Sequence, residues 1–74
     1  MNKVRRDKIK IVLKKIECNT KELESILSDE CEAYDNMPDG LKCTDNGFVS
    51  EEAQETIESA IDALYEAIGY LEKI

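Results

Sequence analysis

The sequence predicts an all-α fold: an antiparallel helical hairpin that resembles a coiled coil and self-associates into a helix bundle. Two long segments repeat apolar residues at alternating steps of three and four, which places them on one face of an α-helix. The segment between them carries the only proline and two of the three glycines. We therefore expect a single domain over residues 1–74, with helices at about 2–34 and 50–73 and an ordered loop at about 35–49.

The first predicted helix has an apolar seam with one weak point. Thr20 and Glu30 interrupt the seam, which is otherwise formed by Ile9, Leu13, Ile16, Leu23, Leu27 and Tyr34. The Cys18-Asn19-Thr20 stretch consists of weak helix formers, and Thr20 is a residue type that caps helices. We expect one long helix that is weakest near Asn19, with a break at that point as the alternative.

The second predicted helix has two contact surfaces. Ser50 is the expected N-cap, and Glu51 and Glu52 lie in the first turn, where the helix dipole favours negative charge. One surface is the seam of Ile57, Ile61, Leu64, Ile68 and Leu71. Small residues that let another helix approach closely lie beside it, and two tyrosines lie off the seam. We predict an oligomer interface from this set: Ala53, Ala60, Ala67, Tyr65 and Tyr70. Simple exposure of the tyrosines is the alternative.

The predicted loop has explicit turn chemistry. Pro38-Asp39-Gly40 favours one β-turn, and Asp45-Asn46-Gly47 favours a second in which Gly47 takes a positive φ. Four apolar residues flank the turns, and we expect them to fold back on the helix ends: Met37, Leu41, Phe48 and Val49. One candidate partner-binding surface is this loop, with Asp35, Asn36, Met37, Pro38 and Leu41.

Charge is divided unevenly along a chain whose net charge is −7. Residues 1–21 contain eight basic and two acidic side chains, a formal charge of +6, whereas the remainder has two basic and fifteen acidic ones, −13. Since the first helix is longer than the second, residues 3–11 are expected to extend beyond it. This basic overhang offers a second candidate site for a ligand or partner: Arg5, Arg6, Lys8 and Lys10. Alternatively, a second subunit covers it, or the basic helix simply packs beside the acidic one.

Composition argues against several functional classes. The chain has no histidine, no glycine-rich phosphate loop and no CxxC pair, so we expect neither an enzyme nor a cofactor or zinc site. Three cysteines suggest reduced thiols in a cytoplasm. Glu55, Glu58 and Asp62 share a helix face that at most binds a divalent ion weakly, and the loop acids do not follow the EF-hand pattern.

No segment has the length and apolarity of a membrane span. The acidic remainder and the lack of interleaved aromatic residues argue against duplex nucleic acid as a partner.

The loop and second helix resemble a group of small acidic proteins from phages and prophages of Firmicutes. The resemblance covers about residues 30–74 and depends on Asp35-Asn36-Met37-Pro38, with Tyr34 before it and Leu41 and Gly47 at matching places. Asp39-Gly40, Lys42 and the basic first helix depart from the group's pattern. The resemblance implies a phage setting in a bacterial host, and it does not imply any particular activity.

Three functions follow as expectations. The first is non-enzymatic binding that inhibits or sequesters a host factor in defence or replication. The second is an oligomeric sponge that binds a small anionic nucleotide signal where basic overhangs converge. The third is a structural or scaffold coiled coil.

Overall fold

The computed structural model describes all 74 residues and contains three helices and no strand. Helix α1 spans Lys3–Asp35, α2 is a short turn of helix at Asp39–Lys42, and α3 spans Asp45–Glu72. The long helices α1 and α3 pack against each other, and α2 packs on the start of α3. The Cα atoms extend over 58 × 14 × 13 Å, so the molecule is a rod. The predicted all-α helical hairpin is confirmed.

Helix α1 is unbroken, and the predicted weak point near Asn19 does not interrupt it. The helix starts at Asn2, whose side-chain Oδ1 accepts a hydrogen bond from the Arg5 backbone N–H at 2.9 Å. Thr20 is not a cap: it is fully buried, and its hydroxyl donates to the Ile16 carbonyl at 2.7 Å. Because that bond satisfies the hydroxyl within its own helix, Thr20 can lie in the helix interface without an unpaired polar group.

The connection is much shorter than the predicted loop at 35–49. The Pro38 carbonyl accepts bonds from the Leu41 and Lys42 N–H groups, which closes the single turn of α2. Thr44 has an extended backbone (φ −96°, ψ 176°) and is the N-cap of α3. The prediction that Ser50 caps this helix is therefore wrong, since α3 begins five residues earlier and Ser50 lies buried inside it.

Gly47 is required for close packing rather than for a turn. No glycine in the chain has a positive φ, so the predicted turn at Asp45-Asn46-Gly47 is wrong. Gly47 is helical and buried, and a Cβ built on it would lie 2.1 Å from the Lys42 carbonyl oxygen. Since the obstacle is backbone, only a residue without a side chain lets the first turns of α3 pass this close to α2.

The apolar core is very small. Only Ile61 and Ile68 are buried large apolar residues, at 7% and 5% exposure. The expectation that the loop's apolar residues fold back is wrong for Leu41, Phe48 and Val49, which are exposed; only Met37 is half-buried. Because the two helices contact each other along one seam, their other faces are exposed to solvent. Large apolar side chains lie on those exposed faces.

The hydrogen bonds between the helices fix the register. Cys31 pairs with Gln54, and Glu24 pairs with Tyr65 farther from the connection. Continuing these pairs at equal rise places Ile74 level with about residues 11–15 of α1. The preceding residues of α1 thus have no part of α3 beside them, in agreement with the expected overhang.

Candidate functional site

A chain of hydrogen bonds crosses the helix interface near the connection. The Ser50 hydroxyl donates to Glu30 Oε1 at 2.7 Å, and Gln54 Nε2 donates to Ser50 Oγ at 3.2 Å. The Cys31 thiol then donates to Gln54 Oε1 at 3.2 Å. In this network the Ser50, Gln54 and Cys31 donors each meet an acceptor, and no buried side-chain polar atom of the protein lacks a partner. The network is structural, because it holds the two helices in one register.

Two tyrosines bridge the helices outside this network. Tyr34 donates its hydroxyl to Glu51, and Tyr65 donates its hydroxyl to Glu24. The hydrogen bond to Glu51 raises the pKa of the Tyr34 phenol, and burial and the negative charge add to the effect. The pKa of the Tyr65 phenol is raised in the same way by its bond to Glu24. Both carboxylates favour the protonated phenol, so the two contacts depend on pH.

A groove lies on one side of the interface between α1 and α3, with a volume of about 450 Å³. Its floor is apolar, from Leu27 and Ile61, and its rim includes Glu24, Glu58 and Asp62. The face predicted to bind a divalent ion weakly contributes Glu58 and Asp62 to this rim. No three carboxylate, thiol or imidazole groups converge closely enough to hold a metal ion.

The basic side chains of the overhang are exposed to solvent. We call residues 3–11 the arm. The four predicted binding residues are all exposed and lie on different sides of the helix: Arg5, Arg6, Lys8 and Lys10. Val4 and Ile11 are also exposed, at 62% and 58%, while Ile9 on the seam is half-buried. The arm thus combines positive charge with apolar side chains.

The opposite end of the rod carries the predicted loop site. We call residues 35–52 the tip. Asp35 is the last residue of α1, the Asn36 N–H bonds to the Glu32 carbonyl, and Pro38 precedes α2. Leu41 is 47% exposed, and Phe48 and Val49, outside the predicted site, are exposed at 60% and 64%. Lys42 Nζ lies 5.2 Å from the centre of the Tyr34 ring, a cation–π contact that ties α2 to α1.

The predicted oligomer interface is divided between two sides of the hairpin. Tyr65 lines the groove and bonds to α1, so it already serves a contact within the chain. Ala53 and Ala67 are half-buried, Ala60 is exposed, and none of the three lines the groove. Tyr70 is 63% exposed, with Lys73 Nζ 5.4 Å from its ring centre. The structure therefore does not bring these five residues together.

The interface network was not predicted from the sequence, in which Glu30 interrupts the apolar seam and Ser50 has the residue type of a helix cap. The signal in the sequence is that Glu30 occupies a seam position of α1, while Ser50 and Gln54, four residues apart, lie on one face of α3.

None of the helices combines the length and apolar character that crossing a membrane requires. Comparisons with protein-family models, with curated proteins and with solved structures gave no match to the chain.

Proposed function

We propose that this chain is a non-enzymatic, phage-type binding protein that inhibits or sequesters a host factor in the bacterial cytoplasm. The observation that carries the proposal is the exposure of eleven large hydrophobic side chains, at 47–68%, beside only two that are buried. Apolar surface on this scale is typical of proteins that act through an interface. The resemblance of the Asp35-Asn36-Met37-Pro38 loop supports the phage setting. A role in defence or replication is proposed because small phage proteins without catalytic residues often act by binding host proteins of these two kinds.

The loop is the surface that we assign to the host factor. Asp35, Asn36, Met37, Pro38 and Leu41 lie at the end of the rod, where a flat or concave partner can reach them without meeting the long helices. Their mixture of carboxylate, amide and apolar groups suits a protein partner, which offers hydrogen bonds around an apolar centre.

Affinity capture from host lysate tests this assignment. The wild-type chain is compared with a loop variant, Asn36→Ala with Met37→Ser and Leu41→Ser, and with Glu66→Gln, an exposed position outside the loop and the arm. We expect the wild type and Glu66→Gln to retain the same host protein and the loop variant to lose it at equal helicity. Equal retention by all three chains would contradict the loop assignment.

A second candidate function, binding of a small anionic nucleotide, is supported by the exposed arm. Arg5, Arg6, Lys8 and Lys10 present unshielded positive charge that suits phosphate groups. Cyclic dinucleotides should then raise the melting temperature, and Arg5→Glu with Arg6→Glu should abolish the shift while Lys73→Glu keeps it. No shift with any cyclic nucleotide would remove this candidate.

The third candidate, a scaffold coiled coil, predicts concentration-dependent assembly and neither kind of binding. In the first two candidates the chain also self-associates, because a hairpin with two buried apolar residues gains most by covering its remaining apolar surface.

A further inference from the structure

We propose that two copies of this chain associate side by side and antiparallel, with the arm of each copy lying on the tip of the other. The inference deepens the proposed function, on whose self-association it rests, by naming the occupant of both ends of the rod. It follows from the surface area, the charges and the apolar side chains of the hairpin.

The surface area shows how much a partner has to cover. The accessible surface is 5718 Å² for a mass of 8.4 kDa. A compact monomer of this mass exposes about 4,600 Å². The excess of roughly 1,100 Å² is larger than the ~800 Å² that each partner buries in a standard interface. Likewise the radius of gyration is 17.1 Å, against about 11 Å for a compact domain of this length. One further hairpin packed along the rod would cover most of the excess surface.

The two ends of the rod have equal and opposite charge. The arm has five basic side chains and Asp7, a formal charge of +4. The tip has five acidic side chains and Lys42, a formal charge of −4. In an antiparallel pair each arm meets a tip, whereas a parallel pair places arm beside arm and tip beside tip. Charge therefore selects the antiparallel orientation.

Apolar side chains accompany the charges at both ends. Val4 and Ile11 are exposed on the arm, and Leu41, Phe48 and Val49 are exposed on the tip. Because the two copies have the same length, one two-fold axis across the middle of the rod brings both arm–tip contacts into place at once. The interface is then closed, and no arm remains to recruit a third copy.

The middle of the interface is the side of the hairpin opposite the groove. The rotation of 3.6 residues per turn places six residues on this side, four of them more than a third exposed. They are Val12, Ile26, Ala53, Ala60, Ala67 and Ile74. Small side chains in α3 allow the second hairpin to approach closely between the two charged ends.

The antiparallel arrangement bears on the candidate functions. It places the two arms at opposite ends of the pair, so they do not converge on one small anion, as the nucleotide sponge requires. The arm covers the later part of the tip, from Leu41 onward, and leaves residues 35–38 exposed at each end of the rod, so the pair presents this part of the host-binding loop twice.

A charge-swap experiment tests the orientation. One chain carries Arg5→Glu with Lys8→Glu on the arm, and another carries Asp45→Lys with Glu52→Lys on the tip; neither alters residues 35–38. Sedimentation at low ionic strength should show a dimer for the wild type and a Kd weakened by at least about tenfold for each variant alone. An equimolar mixture should restore much of the dimer, because one arm–tip contact keeps its native formal charges of +4 and −4. The other contact then joins two ends of zero formal charge, with acidic side chains introduced at positions 5 and 8 and basic ones introduced at positions 45 and 52. A monomeric wild type, dimers that tolerate both reversals, or a mixture that stays dissociated would overturn the proposal.

A cross-linking experiment gives an independent answer if a reversed chain loses helicity. Cys43 on the tip is exposed. In a Cys18→Ser chain carrying Lys8→Cys, mild oxidation should link position 8 of one copy to Cys43 of the other, as mapped by mass spectrometry. Links that join Cys43 to Cys43, or position 8 to position 8, would overturn the antiparallel orientation. Host-factor capture is measured on the same chains. A monomeric wild type that captures the host factor would overturn the dimer alone, whereas a wild-type dimer that captures nothing would overturn the host-binding proposal alone.

Discussion

The two halves of the α1–α3 interface are held together by different forces. Near the connection, Glu30, Cys31, Ser50 and Gln54 form a chain of hydrogen bonds beside the close approach at Gly47. Farther away, apolar burial dominates, because both buried isoleucines of the protein lie in that half of α3. The apolar half supplies transfer free energy, which is non-directional and therefore specifies the register less strictly than hydrogen bonds do. The polar half tolerates only one alignment, since a slip leaves buried groups unpaired.

This division explains how so small a core specifies one hairpin. The polar half sets which residues of α1 face α3, and this alignment in turn determines that the arm extends past Ile74. The charged arm is a consequence of the register as well as of the sequence.

Replacing Gly47 should disrupt the polar half most strongly. In Gly47→Ala the new Cβ meets the Lys42 carbonyl at 2.1 Å, and no side-chain rotation relieves a clash with backbone. We expect a loss of about 3 kcal/mol in unfolding free energy, measured by thermal and urea denaturation.

Gly69→Ala is the matched control on the same helix. A Cβ at Gly69 meets nothing within 4 Å, so the better helix propensity of alanine should stabilise the chain by up to about 1 kcal/mol. Equal and small effects at the two glycines would show that α3 does not pass α2 as closely as described.

Truncation of Ile68 tests the apolar half. Ile68→Ala should cost about 2–3 kcal/mol and Ile68→Val about 1 kcal/mol, in proportion to the apolar volume removed at a site only 5% exposed. Chemical denaturation of the two variants at one protein concentration gives the comparison. A loss that does not grow with the number of deleted methyl groups would contradict the assignment of Ile68 to the core.

Removal of the Ser50 hydroxyl should have a smaller effect, because it removes only the hydrogen bonds that set the register of α1 and α3. Ser50→Ala takes away both the donor to Glu30 and the acceptor for Gln54, so we expect a loss of about 1–2 kcal/mol. Ser59→Ala, at an exposed serine of α3, should change stability by less than about 0.5 kcal/mol. If the two serine variants are equally stable, the network does not hold the helices together.

The smallest expected effect is a loss of stability at alkaline pH through the two bridging tyrosines. Their folded pKa values are raised by Glu51 and Glu24, so their contribution is fully present below the unfolded pKa of about 10. It is lost as pH rises through the higher folded values. Helicity followed by circular dichroism should fall over this range in the wild type, and less in Tyr34→Phe with Tyr65→Phe. Tyr70→Phe, the control for loss of a hydroxyl, should behave as the wild type.

The sequence predicted α1 and most of α3 well because their signal is local and repeated. The seam from Ile9 to Tyr34 recurs over many turns, and the predicted helix at 2–34 differs from Lys3–Asp35 by one residue at each end. The tip was predicted less well because its determinants are tertiary. Asp45-Asn46-Gly47 has the composition of a turn, yet the absence of a side chain at Gly47 serves a contact with Lys42 that no local pattern reveals.

The candidate sites also differ in whether local features of the sequence predict them. Exposure of the basic arm followed from charge and from the unequal helix lengths, both visible in the residues. The interface network did not follow, because Glu30 appears unfavourable in a seam until Ser50 of the other helix is placed within 2.7 Å of it.

The central claim is that two hairpins associate side by side, and small-angle X-ray scattering combined with sedimentation tests it most directly. An antiparallel pair of hairpins should have about twice the mass of the 8.4 kDa chain and a longest dimension close to that of one 58 Å rod. A mass of 8.4 kDa at all concentrations, or a doubled mass on a particle much longer than one rod, would contradict it.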